Sequence, residues 1–163
     1  MGISDKEETV SIQDPEFRER FSEALAADPE FEQEARWFDG SILVEVGAEP
    51  LWLKIYRGKL IDTLEFTPVF GYTFKLSGAP ETWALLGSGE RTFTDLVSAG
   101  SRYADSIEEI EAGGAGYRPP LLAIEGNGVE AGRMHIATMH LARAFARTAV
   151  ESGVVASGAG VPA

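Results

Sequence analysis

Leu121-Leu-Ala-Ile-Glu-Gly-Asn-Gly128, running straight into the stretch from Val129 to Glu151, decides how this chain folds. A short apolar run closed by a glycine turn predicts a strand that hands over to a helix. Along that helix Met134, Thr138, Leu141 and Phe145 form one stripe, with Ala137, Ala144 and Thr148 beside it. Arg133, Arg143 and Arg147 fall on other faces, and the latter two lie toward the C-terminal half, where cations suit the helix dipole. A closing helix with so broad an apolar stripe needs an apolar surface to lie on.

That surface is written upstream. Ser41 to Val46 alternates, with Ile42, Val44 and Val46 on one face. Leu51 to Tyr56 predicts a second strand, with Leu51, Leu53 and Ile55 on one side and Trp52 and Tyr56 on the other. Arg57-Gly58-Lys59 is a tight turn, Leu60 to Phe66 a third strand broken by Pro68, and Gly71 to Leu76 a fourth that groups Tyr72, Phe74 and Leu76. Apolar residues occur on both sides of several strands. One face is free to pack on helices while the other meets a ligand, a further helix or a partner.

Helices fill the remaining stretches. Asp14-Pro15 reads as an N-cap and first helical residue, followed by Phe17, Phe21 and Leu25 on one stripe. Asp28-Pro29 repeats the signal, with Phe31, Ala35 and Phe38 leading to the turn at Asp39-Gly40. After Gly78-Ala-Pro80, Glu81 to Leu86 predicts a short helix carrying Trp83, and Thr92 caps another through Val97. Ala99 to Pro120 is a long acidic, then glycine-rich stretch, read as part helix around Ile107 and Ile110 and part loop. The expected organisation is a flexible tail over 1–13, one domain over 14–152 and a flexible tail over 153–163.

Composition narrows the function. With 163 residues the chain suits one domain. It has no cysteine, which excludes disulfides, thiolate metal sites and cysteine nucleophiles, and fits a cytoplasmic protein. A net charge of -12 repels phosphate backbones and anionic bilayers, so neither nucleic acid nor stable membrane insertion is expected. No apolar run approaches the ~20 residues that span a bilayer.

The catalytic motifs fail on context. Gly126-Asn-Gly128-Val-Glu-Ala131 fits the spacing of a dinucleotide loop, but the chain nearly ends after the helix, where further strand–helix units are required. The glycines are read as turn and close-packing positions. His135 and His140 stand five apart, about 500° around a helix, so they do not share a face for a metal. Asp105, Glu108, Glu109 and Glu111 lack the apolar brackets that would desolvate them and read as a solvated face. No serine elbow or phosphate loop occurs. No cofactor, metal or catalytic residue is assigned.

The element order, with the stretches Gly40-Ser-Ile-Leu-Val-Glu-Val46, Leu51-Trp-Leu-Lys-Ile-Tyr-Arg-Gly-Lys-Leu60, Tyr72-Thr-Phe-Lys-Leu-Ser-Gly-Ala-Pro-Glu-Thr-Trp83 and Leu122-Ala-Ile-Glu-Gly-Asn127, resembles the SCP-2 sterol-carrier family from about Pro15 to Ser152. The resemblance implies an α+β fold: a five-stranded mixed sheet with N-terminal helices, short crossover helices and a C-terminal helix packed on the sheet. It also implies non-catalytic binding or transport of a sterol, fatty acyl or similar apolar molecule. Ala99 to Pro120, an insertion relative to that family, and the acidity depart from the family pattern.

Together with the surplus of aromatics, this places a hydrophobic cavity between sheet and last helix. Its expected lining is Trp52, Phe66, Phe70, Tyr72, Phe74, Trp83, Leu86, Phe93, Met134, Ala137, Met139 and Leu141. Methionine there suits ligands of variable shape. Two other readings stay open. One is an enzyme or accessory protein using Tyr72, His135, His140 or an insertion carboxylate on an apolar substrate. The other is a structural module that forms a homo-oligomer through the last helix and the insertion.

Overall fold

The computed structural model describes residues 10–98 and 120–156. The 99–119 part of the insertion, with its acidic run, and the outermost parts of both expected tails lie outside the described residues.

Two short helices open the fold, α1 (Pro15–Ala26) and α2 (Pro29–Glu34). Each starts at a proline, whose fixed φ suits the first helical position. Asp28 caps α2, its Oδ1 accepting from the amides of Glu30 and Phe31 at 3.1 Å. Asp14 occupies the equivalent position before α1, but its carboxylate accepts from the Ser11 amide instead, at 3.0 Å. That bond anchors residues which the sequence pattern leaves in the tail. Ile12 is fully buried, and the Gln13 side chain donates to the Pro50 and Glu65 carbonyls at 2.8 Å. Val155 is likewise buried beyond the last helix, so packing extends past the expected domain limits on both sides.

The sheet comprises β1 (Asp39–Val46), β2 (Glu49–Tyr56), β3 (Lys59–Leu64), β4 (Phe74–Gly78) and β5 (Leu122–Gly126), in the spatial order β3-β2-β1-β4-β5. β1 and β4 run parallel, with Ile42 opposite Phe74 and Val44 opposite Leu76. The other pairs are antiparallel, which makes the sheet mixed, as expected. β3 ends before Phe66 and β4 begins after Gly71. Between them Pro68 starts a turn closed by the Gly71 amide on the Pro68 carbonyl at 2.9 Å, so regular pairing resumes only at Phe74.

The crossover carries α3 (Pro80–Ser88) and α4 (Phe93–Leu96), the latter capped by Thr92 on the Asp95 amide at 3.2 Å. After β5 the expected single helix is two: α5 (Gly128–Arg133) and α6 (His135–Glu151). The break falls at Met134, whose ψ of 11° leaves the helical region and whose side chain is fully buried. α5 buries none of its own residues and begins at Gly128, with a second glycine at Gly132, so little holds it in line with α6.

Gly126 is the position where the strand-to-helix stretch cannot accept another residue. Its φ is 122°, and a Cβ there would stand 2.8 Å from the Thr73 carbonyl oxygen and 2.9 Å from Phe74 Cα. The glycine thus serves close approach of β5 to β4, while the next residue, Asn127, caps α5 by accepting from the Glu130 amide at 3.1 Å.

Candidate functional site

α6 lies across the inner face of the sheet, and the layer beneath it is occupied. Phe145 sits at 5.2 Å from Phe17, 5.1 Å from Phe21 and 5.2 Å from Trp83, centroid to centroid, in edge and tilted arrangements. Such geometry suits the ring quadrupoles. Trp83 is fully buried and donates its indole N–H to the Glu45 carbonyl at 3.1 Å, so the polar atom it carries inward is satisfied. Phe38 extends the layer to Phe74 at 6.2 Å.

Two clefts lie on the flanks of α6. The larger cleft, about 640 Å³, runs between the α3–α4 connection and α6. α3 reaches α6 at Gly87, where a Cβ would stand 2.4 Å from the Ala146 carbonyl oxygen. This contact brings the end of α3 close to α6, and the chain then turns away through Gly89 and Thr92 into α4. Leu86, Phe93 and Met139 give the cleft its apolar wall, while Ser88, Thr92 and Thr94 add hydroxyls. Arg143 and Arg147 stand on its rim, exposed to solvent. Arg91 is also there, paired with Asp95.

A second cleft, about 450 Å³, lies on the other flank, between the α1–α2 junction and α6. Asp28, Pro29, His140, Ala144, Thr148 and Glu151 line it, together with the same Arg143 and Arg147. His140 closes one end. Its Nδ1 lies 3.0 Å from Asp28 Oδ2 and its Nε2 lies 3.0 Å from Glu30 Oε2. The ring thus bridges two carboxylates of the α2 N-terminus, one on each nitrogen. Asp28 thereby caps α2 with one oxygen and ties α2 to α6 with the other. His135, by contrast, packs on the Phe93 ring at 5.7 Å.

The sheet separates the residues that the sequence groups as one lining. Phe74, Trp83, Leu86, Phe93, Met134, Ala137 and Leu141 belong to the buried inner core, with Met139 partly buried against it. Leu86, Phe93 and Met139 meet at the larger cleft. Trp52 projects from the outer face of the sheet, where Phe70 packs edge-on at 5.6 Å. Phe66 is 57% and Phe70 72% exposed, and Tyr72 is partly buried just ahead of β4. The indole N–H of Trp52 is buried with no hydrogen-bond partner.

Sequence reasoning passed over Arg143 and Arg147, which the dipole alone explained, and could not pair His140 with Asp28 across 112 residues. Their i, i+4 spacing was the one available signal for the arginines. Among the described residues no helix is long and apolar enough to cross a membrane, and no cluster of His, Asp and Glu is arranged to hold a metal.

No family model and no curated protein matches the chain. Solved structures do. The crystal structure of sterol carrier protein 2 superposes with a TM-score of 0.53 at 13% identity, covering 81% of this chain and 94% of that one. The solution structure of a conserved hypothetical protein from Thermus thermophilus, described as possibly a sterol carrier protein, gives a TM-score of 0.50 at 13% identity, covering 89% and 90%. At such identity the likeness speaks for the backbone arrangement. In element order, sheet topology and helix placement, this chain has the SCP-2-like fold.

Proposed function

We propose that the protein binds an apolar small molecule, a fatty acyl chain, sterol or similar compound, and carries it without transforming it. The carrying observation is the cleft between α3, α4 and α6, where Leu86, Phe93 and Met139 offer an apolar wall. Its volume of about 640 Å³ falls within the usual ligand-site range of roughly 300–1,000 Å³. Each ~40 Å² of apolar ligand surface that this wall takes out of water contributes about 1 kcal/mol before the entropy cost of binding. Met139 can adjust its rotamer to different chain shapes. The names of the structural neighbours, both linked to sterol carriage, support the same reading.

The binding residues proposed for this function are Leu86, Phe93 and Met139, with the rest of the expected inner lining as their packing support. Charging Phe74 or Met134 is a poor test, because both are fully buried and their loss would damage the fold. Met139→Glu is the better variant. Native mass spectrometry of the freshly purified protein, followed by titration with a fluorescent fatty acid, should show an apolar ligand bound by the wild type. Met139→Glu should lose that binding while keeping its circular dichroism spectrum. Equal binding by a folded Met139→Glu variant would sink the cleft assignment.

A further inference from the structure

The geometry points to Arg143 and Arg147 as an anion-binding pair that receives the carboxylate or phosphate head of an amphiphile whose chain lies against Leu86, Phe93 and Met139. This inference rests on the apolar cleft proposed above and narrows its ligand from apolar compounds in general to anionic amphiphiles.

Among the described residues, the two arginines stand apart from the other cations. In a chain of net charge -12, acidic partners are plentiful. Arg18, Arg20, Lys54, Lys59, Lys75, Arg91 and Arg133 each have a carboxylate within ion-pairing distance. Arg36 donates to the Gln33 carbonyl, and Arg57 lies over the Tyr56 ring at 5.2 Å. Among the described residues, Arg143 and Arg147 have no such ion pair, hydrogen bond or ring contact. They are neighbours at i, i+4, a spacing at which like charges on a helix repel by a few tenths of a kcal/mol. Glu151, one turn further on and lining the smaller cleft, does not pair with Arg147 within 4.0 Å.

Their placement gives that unneutralised charge a direction. Both residues line both clefts, so they form the ridge between them. On the α1–α2 side the ridge faces Asp28 and Glu151, and Glu30 stands behind His140, so carboxylates of the chain itself disfavour an incoming anion there relative to the other side. On the α3–α4 side it faces the apolar wall and the hydroxyls of Ser88, Thr92 and Thr94, with Arg91 already paired to Asp95. A ligand with its chain on Phe93 and Met139 and its head on the ridge satisfies both halves of this surface. A guanidinium pair binds carboxylate or phosphate oxygens in charge-assisted hydrogen bonds. A sterol, whose polar end is a neutral hydroxyl, gains nothing comparable.

The test uses the whole chain and four probes: a conjugated polyene fatty acid, its methyl ester, the matching alkyl phosphate and inorganic phosphate. The acid and alkyl phosphate should bind the wild type at least ~10-fold more tightly than the ester, because only they engage the guanidinium groups. Arg143→Gln/Arg147→Gln should remove that preference and leave ester binding unchanged, whereas Arg147→Lys should retain part of it. Because both side chains are exposed, the fold should survive. The melting temperature of ligand-free Arg147→Gln should stay within about 2 °C of the wild type, since the like-charge contact relieved offsets the lost interaction with the helix dipole. A fall of several degrees would assign the arginine a structural role and overturn the inference. Equal binding of acid and ester by the wild type would overturn it while leaving the apolar cleft standing. Failure of both to bind would remove the cleft as well. Inorganic phosphate binding as tightly as the alkyl phosphate would mean a free-anion site, contrary to the proposal.

Discussion

The two faces of the sheet solve the same problem differently. On the inner face, Ile42, Val44, Leu51, Leu53, Phe74 and Leu76 lie under helices, and the aromatic group around Phe145 fills the layer above them. On the outer face, Leu43 and Trp52 are buried side by side across β1 and β2, yet Phe66, Val69 and Phe70 in the loop after β3 remain exposed. Polar atoms follow the same division. The Trp83 N–H on the inner side has its carbonyl, whereas the Trp52 N–H on the outer side has none. The outer face relies on a charge bridge instead: Lys75 reaches Glu125 at 3.2 Å and Glu45 at 3.3 Å, joining β4 to both neighbours. Dense packing is thus a property of one face, and a search for ligand space belongs on its flanks.

Substitutions can break this contrast. Phe145→Ala removes the ring shared by three aromatic neighbours and should cost ~3–5 kcal/mol, measured by urea unfolding. A loss under ~1 kcal/mol would show that the inner layer is loosely filled. Gly87→Ala sets a methyl against the Ala146 carbonyl and should cost ~1–3 kcal/mol, with the cleft disturbed as the helices move apart. A gain in stability there would contradict the close approach of α3 to α6.

The tryptophans sharpen the comparison. Trp83→Phe gives up a hydrogen bond and packing volume together and should cost ~2 kcal/mol. Trp52→Phe gives up similar volume but relieves a buried unpartnered donor, so its cost should stay below ~1 kcal/mol. Equal losses in thermal unfolding would mean that the two indoles share one environment. Alkaline pH gives the smallest effect. The hydrogen bond to Glu125 does most to raise the Lys75 pKa above its usual value; burial opposes it, and Glu45 assists. Because the folded-state value is the higher one, this bridge stabilises the fold fully below the ordinary lysine range and is lost as pH rises through the raised value. The wild type should therefore lose slightly more stability there than Lys75→Met does.

Much of the fold was legible because it is local. Alternation at Ile42, Val44 and Val46 assigns a strand face, and the stripe at Phe17, Phe21 and Leu25 assigns a helix face, since both periods are imposed by backbone geometry. The caps at Asp28 and Thr92 are equally local. The site was less legible. Aromatic content signals apolar surface without saying which compartment each ring enters. Trp52 and Phe74 therefore read alike in sequence and stand on opposite faces of the sheet.

The sequence by itself determined the order of the strands, the buried stripe of α1 and of α6, the alternation of β1 and the turn at Gly126-Asn127, because these follow from periodicity, capping and backbone freedom within a few residues. Only the tertiary structure decided that β4 lies parallel to β1, that Gly87 meets Ala146, that His140 bridges Asp28 and Glu30, and that Arg143 and Arg147 form a ridge between two clefts. Those arrangements join segments far apart along the chain. They are selected by how well whole surfaces fit and neutralise one another, a condition that no local pattern encodes.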